Sequence, residues 1–174
     1  MADRQVLLVG LGPEAEKVRM ALQGQSLDLL SIGPDQLELT VGQVFEKGCF
    51  QTSGETLSPY LMMFRGFSSD QLDAVLRDIR QASLSHQSVK AMVTVTNWNW
   101  KLKDLYEEVQ QEQKIMAALI RLRKLRDSMP MPEITDFPAM QARIQAEVLL
   151  KGGENATEEA VERAYQELLR FQKR

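Results

Sequence analysis

The chain reads as an α/β protein: a four-stranded, mostly parallel sheet built from two βαβ repeats, followed by a carboxy-terminal helical appendage. Three observations predict this. Two continuous apolar runs, VLLVG ending at Gly10 and LMMFRG ending at Gly66, each close on a glycine and lead into an amphipathic helical stretch. In each half a second apolar run and a further helix follow in the same order, and beyond about residue 112 only helical periodicity is left. Short apolar runs alternating with helical stretches point to βαβ units, and a sheet covered on both faces explains runs without polar alternation. The favoured strand order is 2-1-3-4, with the halves related by a pseudo-twofold and right-handed crossovers in each. A ferredoxin-like arrangement is the competing topology. The long connection 33–59, holding its own helix, speaks against a simple hairpin there. The expected division is an α/β domain over 1–112 and a helical extension over 113–174.

In the first unit, the run from Gln5 ends at Gly10, and a helix is expected from Gly12 and Pro13, where a missing N–H costs nothing. Ala15, Val18, Ala21 and Leu22 form its buried stripe. The second strand is SLDLLSI, closed by Gly33-Pro34. Thr40 with Gln43 makes a capping box for the short helix TVGQVFEK, which Gly48 stops. Residues 48–59 form a loop joining the units.

In the second unit, Ser68 with Gln71 makes another capping box, and Phe67 is placed to staple Leu72. Leu72, Val75, Leu76 and Ile79 supply that helix's buried face, and VKAMVTV is the fourth strand. A long helix is expected from Trp100 to Asp127, capped by Asn99, with Leu102, Leu105, Val109, Met116 and Leu119 on one near-heptad seam. Two further helices, 139–151 and 156–172, are separated by Gly152-Gly153, with Asn155 as the expected cap of the second.

With 44% apolar and 26% charged residues, 174 residues hold one good core and an appendage. The net charge of −3 argues against general nucleic-acid binding, which calls for a basic excess. Residues 1–98 hold eight basic and eleven acidic groups, whereas 99–174 hold thirteen of each. Along the long helix acidic residues precede basic ones, an order that complements the macrodipole. The single Cys49 permits no intramolecular disulfide and no cysteine zinc cluster. A catalytic pair with the single His86 needs folding to join them and a third group to orient them. The apolar run after Asp3 and Arg4 is too short for a signal-peptide core or a membrane span, so a cytoplasmic protein without membrane contact is expected. No P-loop lysine motif, G-x-S-x-G elbow or H-E-x-x-H is present, and neither a metal nor a cofactor is expected.

Two stretches invite a ligand reading. Gly10-Leu-Gly12-Pro-Glu-Ala15 follows a strand and opens a helix in the G-x-G-x-x-A pattern of dinucleotide sites, with Asp35 twenty residues beyond Ala15. Against that, Pro13 removes an N–H that a pyrophosphate would use, and Glu14 and Glu16 put negative charge where the anion would sit. The bland reading is a tight turn into a capped helix. The second stretch, Thr94-Val-Thr-Asn97-Trp98-Asn-Trp100, holds both tryptophans at a predicted strand end. Asn97 and Trp98 there can hydrogen-bond and stack on a ligand. The structural reading instead gives Asn97 to turn backbone and Trp100 to the junction between strand and long helix.

At this stretch, Thr96-Asn97-x-x-Trp100-x-Leu102-x-x-Leu105 resembles a small family of bacterial proteins classed only as a domain of unknown function. The resemblance runs over about residues 5–112 and implies an α/β fold of this size. It implies no activity, and the helices from about Pro130 lie outside it.

Two functions are carried forward. The first is a non-enzymatic interaction or regulatory protein that dimerises or docks on another protein through its carboxy-terminal helices. The second is a small-molecule or nucleotide-binding protein, possibly an enzyme, with its site among Gly10, Gly12, Asn97 and Trp98 at the strand ends.

Overall fold

A computed structural model describes residues 3–51, 54–84, 87–153 and 156–172 of the chain. It divides into two compact units, Met1–Val109 and Gln110–Arg174. The first contains a four-stranded sheet of order β2-β1-β3-β4, formed by β1 (Gln5–Val9), β2 (Asp28–Ile32), β3 (Tyr60–Arg65) and β4 (Ser88–Met92). The order is the one expected, but the sheet is mixed: β1 with β2 and β3 with β4 are parallel, whereas the central pair β1 and β3 is antiparallel.

The connection after β2 explains that reversal. Helix α2 (Val41–Lys47) carries the chain back, and residues 49–51 then run a second time in the direction of β2, with Phe50 in a parallel bridge to Ser31. The backbone bonds Ser31 N–H to Cys49 O and Gln51 N–H to Ser31 O fix this extra lap. The chain is therefore at the carboxyl end of β1 when it turns into β3, and Leu57 N–H donates to Gly10 O at 2.7 Å there. From that end β3 has only the antiparallel direction open to it.

The two halves correspond about the β1–β3 seam. Gly10 and Gly66, each just past its strand, both adopt positive φ, at +72° and +77°. Alternating residues of the strands face opposite ways. On one face Val6, Leu8, Tyr60, Met62 and Phe64 pack with α1 (Ala15–Ala21) and α3 (Ser69–Gln81) through Ala15, Val18, Val75 and Ile79. On the other, Leu7, Val9, Leu61, Met63 and Val89 meet Val41, Val44 and Phe45 of α2 and Leu102 and Leu105 of α4 (Leu102–Ser128). The result is a three-layer unit.

Both expected capping boxes form, Thr40 with Gln43 and Ser68 with Gln71. Gly48, at φ +57°, ends α2 as expected. Phe67 and Leu72 both pack on the α1/α3 side of the sheet. Three local expectations change. Gly12, Pro13 and Glu14 form a single 3-10 turn before α1. The fourth strand stops at Met92, three residues early, because the segment from Thr94 folds into a turn. The long helix starts at Leu102, after Asn99.

The outer strands are protected differently. Residues 49–51 cover β2, while β4 is short and carries Lys90, a charged edge of the kind that discourages sheet extension. Burial, and then the nearby Arg80, push the Lys90 ammonium below its ordinary pKa.

The second unit holds the later part of α4, α5 (Phe137–Lys151) and α6 (Glu158–Gln172). Its core is Ala118, Leu119, Leu122 and Leu125 of α4 with Ala142 and Ala146 of α5 and Val161, Ala164 and Leu168 of α6. Met116, placed by the heptad reading on the buried seam, is instead 56% exposed, because the seam turns onto Leu119, Leu122 and Leu125. Asp136 caps α5 by accepting from Ala139 N–H, and Thr157 does the same for Ala160 N–H at the start of α6. The expected cap Asn155 lies outside the described residues, as does His86. Arg143 reaches back to the end of α4, where its Nη1 donates to the carbonyls of Arg126 and Met129.

Candidate functional site

The antiparallel centre decides where the four candidate residues fall. Val9 lies opposite Leu61 and Gln5 opposite Arg65, so the carboxyl ends of β1 and β2 are at one end of the sheet. Those of β3 and β4 are at the other. Gly10 and Gly12 stand at the first end and Asn97 and Trp98 at the second. The single strand-end crevice that a parallel sheet would provide is split in two.

At the first end both glycines are buried with positive φ, and a Cβ on Gly10 would stand 2.5 Å from Leu57 Cγ. The turn is filled by the chain itself. Gly12 starts a three-residue 3-10 turn and α1 has only seven residues, so no long helix directs its amino end at a phosphate.

At the second end Asn97 works on backbone. Its Oδ1 accepts from Thr94 N–H at 2.9 Å, its own N–H donates to Thr94 Oγ1 at 3.2 Å, and its Nδ2 donates to Met92 O at 2.9 Å. Trp98 lies under Arg65, whose guanidinium carbon is 4.7 Å from a ring centroid, and stacks on Phe45 at 6.4 Å. Arg65 also donates to Oε1 of the buried Gln5. Gly42 makes room for the indole, since a Cβ there would be 2.6 Å from Trp98 Nε1, and its N–H donates to Trp98 O. The junction expected for Trp100 is thus filled by Trp98, and Trp100 is 40% exposed. Lys101 donates to Glu38 Oε2 at 2.6 Å, and this bond holds the Glu38 carboxyl below and the Lys101 ammonium above their ordinary values. Val41 N–H to Trp100 O and Leu102 N–H to Leu39 O complete the attachment of the loop to the start of α2.

The least explained surface belongs to the helical unit. Helix α5 buries Ala139, Ala142 and Ala146, yet Phe137, Ile144 and Val148 are exposed at 74%, 54% and 64%. Sequence reasoning missed this stripe because it placed a helix at 139–151 without assigning its faces. The signal was available: small residues fill one helical row and large ones another. An open groove between α4 and α6, of about 690 Å³, is lined by Arg121, Glu158, Glu162 and Arg163 among others, and Arg121 is paired with Glu162 at 3.0 Å. Its lining side chains are all charged or polar, four of them acidic and three basic. Among the described residues no group of three or more His, Cys, Asp or Glu is placed to hold a metal ion. No described helix is long and apolar enough to cross a membrane.

The model of a family described as a domain of unknown function (DUF3783) matches residues 60–116, from β3 into α4. The match spans the 96–105 segment on which the resemblance was read and leaves 5–59 outside it. No curated protein and no solved structure matches the chain.

Proposed function

We propose that this chain is a non-enzymatic interaction protein, in which residues 1–112 form the scaffold and 113–174 dock on protein, through self-association or on another chain. The observation that carries this reading is that α5 is apolar on two sides and covers only one of them. An exposed row of large apolar side chains rimmed by polar ones marks a surface for association. The alternative, a small molecule or nucleotide bound at the strand ends, has less support: two candidate residues lie at each end, and at the first Gly10 is closed in by Leu57.

The test is a photo-crosslinking residue installed at Ile144 in cells, with Lys17 on the exposed surface of α1 as the control position. Discrete crosslinked species from position 144 and none from position 17 are expected. No species from 144, or the same pattern from both, would overturn the reading.

A further inference from the structure

Two nucleophiles stand side by side at the edge of the sheet. Ser88 and Lys90 alternate with Val89 on β4, so both project from the face that carries α1 and α3, and Lys90 Nζ donates to Ser88 Oγ at 2.8 Å. In register with them on β3 are Tyr60 and Met62 of that same face. Ser88 also shares a hydrogen bond with the buried Tyr60 hydroxyl, which holds the serine oxygen between phenol and amine. Lys90 is exposed and open to a reagent from solvent.

The partner of Lys90 sets it apart from other lysines of this unit. Lys17 meets the Glu14 carboxylate at 2.9 Å and Lys101 that of Glu38 at 2.6 Å. A carboxylate favours the charged ammonium, which has no lone pair to offer, and Glu38 holds that of Lys101 above its ordinary pKa. Lys90 meets a hydroxyl instead, and the charge beside it is Arg80 of α3. Burial and that like charge hold its ammonium below the ordinary pKa, so a larger share is free amine. A desolvated lysine beside a second cation is an activated nucleophile.

We infer that Ser88 and Lys90 form an acyl-acceptor pair, in which the serine takes an acyl group from an acyl phosphate and passes it to the lysine as a stable amide. This chemistry belongs to β4 and is independent of docking by the helical unit. The free amine of Lys90 takes the Ser88 hydroxyl proton as Oγ bonds the acyl carbon. The bond from that carbon to the phosphate oxygen breaks, and the phosphate leaves with the proton from Lys90. The amine nitrogen then bonds the same carbon, the ester C–Oγ bond breaks, and a proton from nitrogen returns to Oγ. The products are an amide and inorganic phosphate, with nothing oxidised or reduced. Because Nζ and Oγ are in contact, the acyl carbon stays within reach of both. The cations Arg80 and Lys90 favour an anionic donor over a neutral ester. Amide formation removes the charge that Lys90 sets on this edge.

Incubation of the full chain with acetyl phosphate, followed over time by peptide mass spectrometry, tests the pair. Lys90 is expected to be acetylated roughly threefold or more faster than Lys17 and Lys101, and to fall to their rate in Ser88→Ala. Ser88→Thr, which keeps a hydroxyl on a strand residue, is expected to retain the preference and so separates lost chemistry from a disturbed strand. Reaction at Lys90 no faster than at Lys17 and Lys101, or equally fast in Ser88→Ala, overturns the pair. Acetate released over many turnovers with no amide at Lys90 also overturns it, because the serine ester would then be passing to water. With neutral p-nitrophenyl acetate as the donor the preference for Lys90 should shrink, and an equal preference overturns the choice of an anionic donor.

Discussion

Gly10 and Gly24 separate two reasons for a glycine. Both have positive φ, +72° and +93°, but a Cβ on Gly10 would collide with Leu57 whereas one on Gly24 meets nothing within 4 Å. Gly10→Ala is expected to cost about 2–4 kcal/mol, backbone strain plus displacement of Leu57, and Gly24→Ala only about 1 kcal/mol. Urea unfolding of the two variants checks the contrast, and equal losses would mean that Leu57 gives way freely. Tyr60 supplies a pH prediction at the same scale. It is 2% exposed, and burial raises its pKa above the ordinary value, with Glu14 adding to the rise and a hydrogen bond with Ser88 opposing it. In the unfolded chain the phenol ionises near pH 10, while in the folded chain it resists, so its contribution is fully present below about pH 10 and is lost as pH rises through the folded pKa. Alkaline unfolding should therefore shift to higher pH in Tyr60→Phe, after allowance for the change at neutral pH.

At the scale of elements, the turn between β4 and α4 shows what the sequence does and does not disclose. Asn97 makes three hydrogen bonds within that turn, to Thr94 and Met92. Asn97→Ala is expected to destabilise by about 1–3 kcal/mol, and Asn97→Asp, which keeps the acceptor for Thr94 N–H, by less. Denaturant titration of both checks the order. That Asn97 serves backbone was readable from its residue type beside Thr94, as were the capping boxes of Thr40 and Ser68, because each involves partners within five positions. Trp98 was not readable. Its neighbours are Arg65 of β3 and Phe45 and Gly42 of α2, two elements remote from it in sequence. The sole local hint was Gly42, a poor helix former placed inside a capped helix. The direction of β3 was hidden for the same reason. It depends on the extra lap at residues 49–51, which carries no apolar run long enough to mark it as a strand. Strand order was legible from the matching signals of the two halves, and with β3 reversed the proposed strand-end residues part company.

Across the whole molecule, the core clusters predict where the chain can be cut. Every residue of the two clusters that line the sheet lies at or before Val109, and every residue of the third cluster, in the helical unit, lies from Ile115 onward. A chain ending at residue 112 therefore keeps all the burial that holds the three-layer unit. A chain ending at Asp127 keeps the same sheet but also retains Leu119, Leu122 and Leu125 without the α5 and α6 side chains that cover them. Three uncovered leucines on one helix face form an adhesive stripe. The longer fragment is thus expected to behave worse than the shorter. Residues 1–112 should unfold cooperatively and stay monodisperse, and residues 1–127 should self-associate or bind a hydrophobic dye. Light scattering with dye fluorescence reads both. If the shorter fragment failed to fold, the sheet would depend on burial supplied from beyond residue 112, and the assignment of α4 to two cores would need revision. If both fragments behaved alike, the leucine stripe would not govern the solution behaviour of this helix, and the same physics could not be claimed for the exposed stripe of α5.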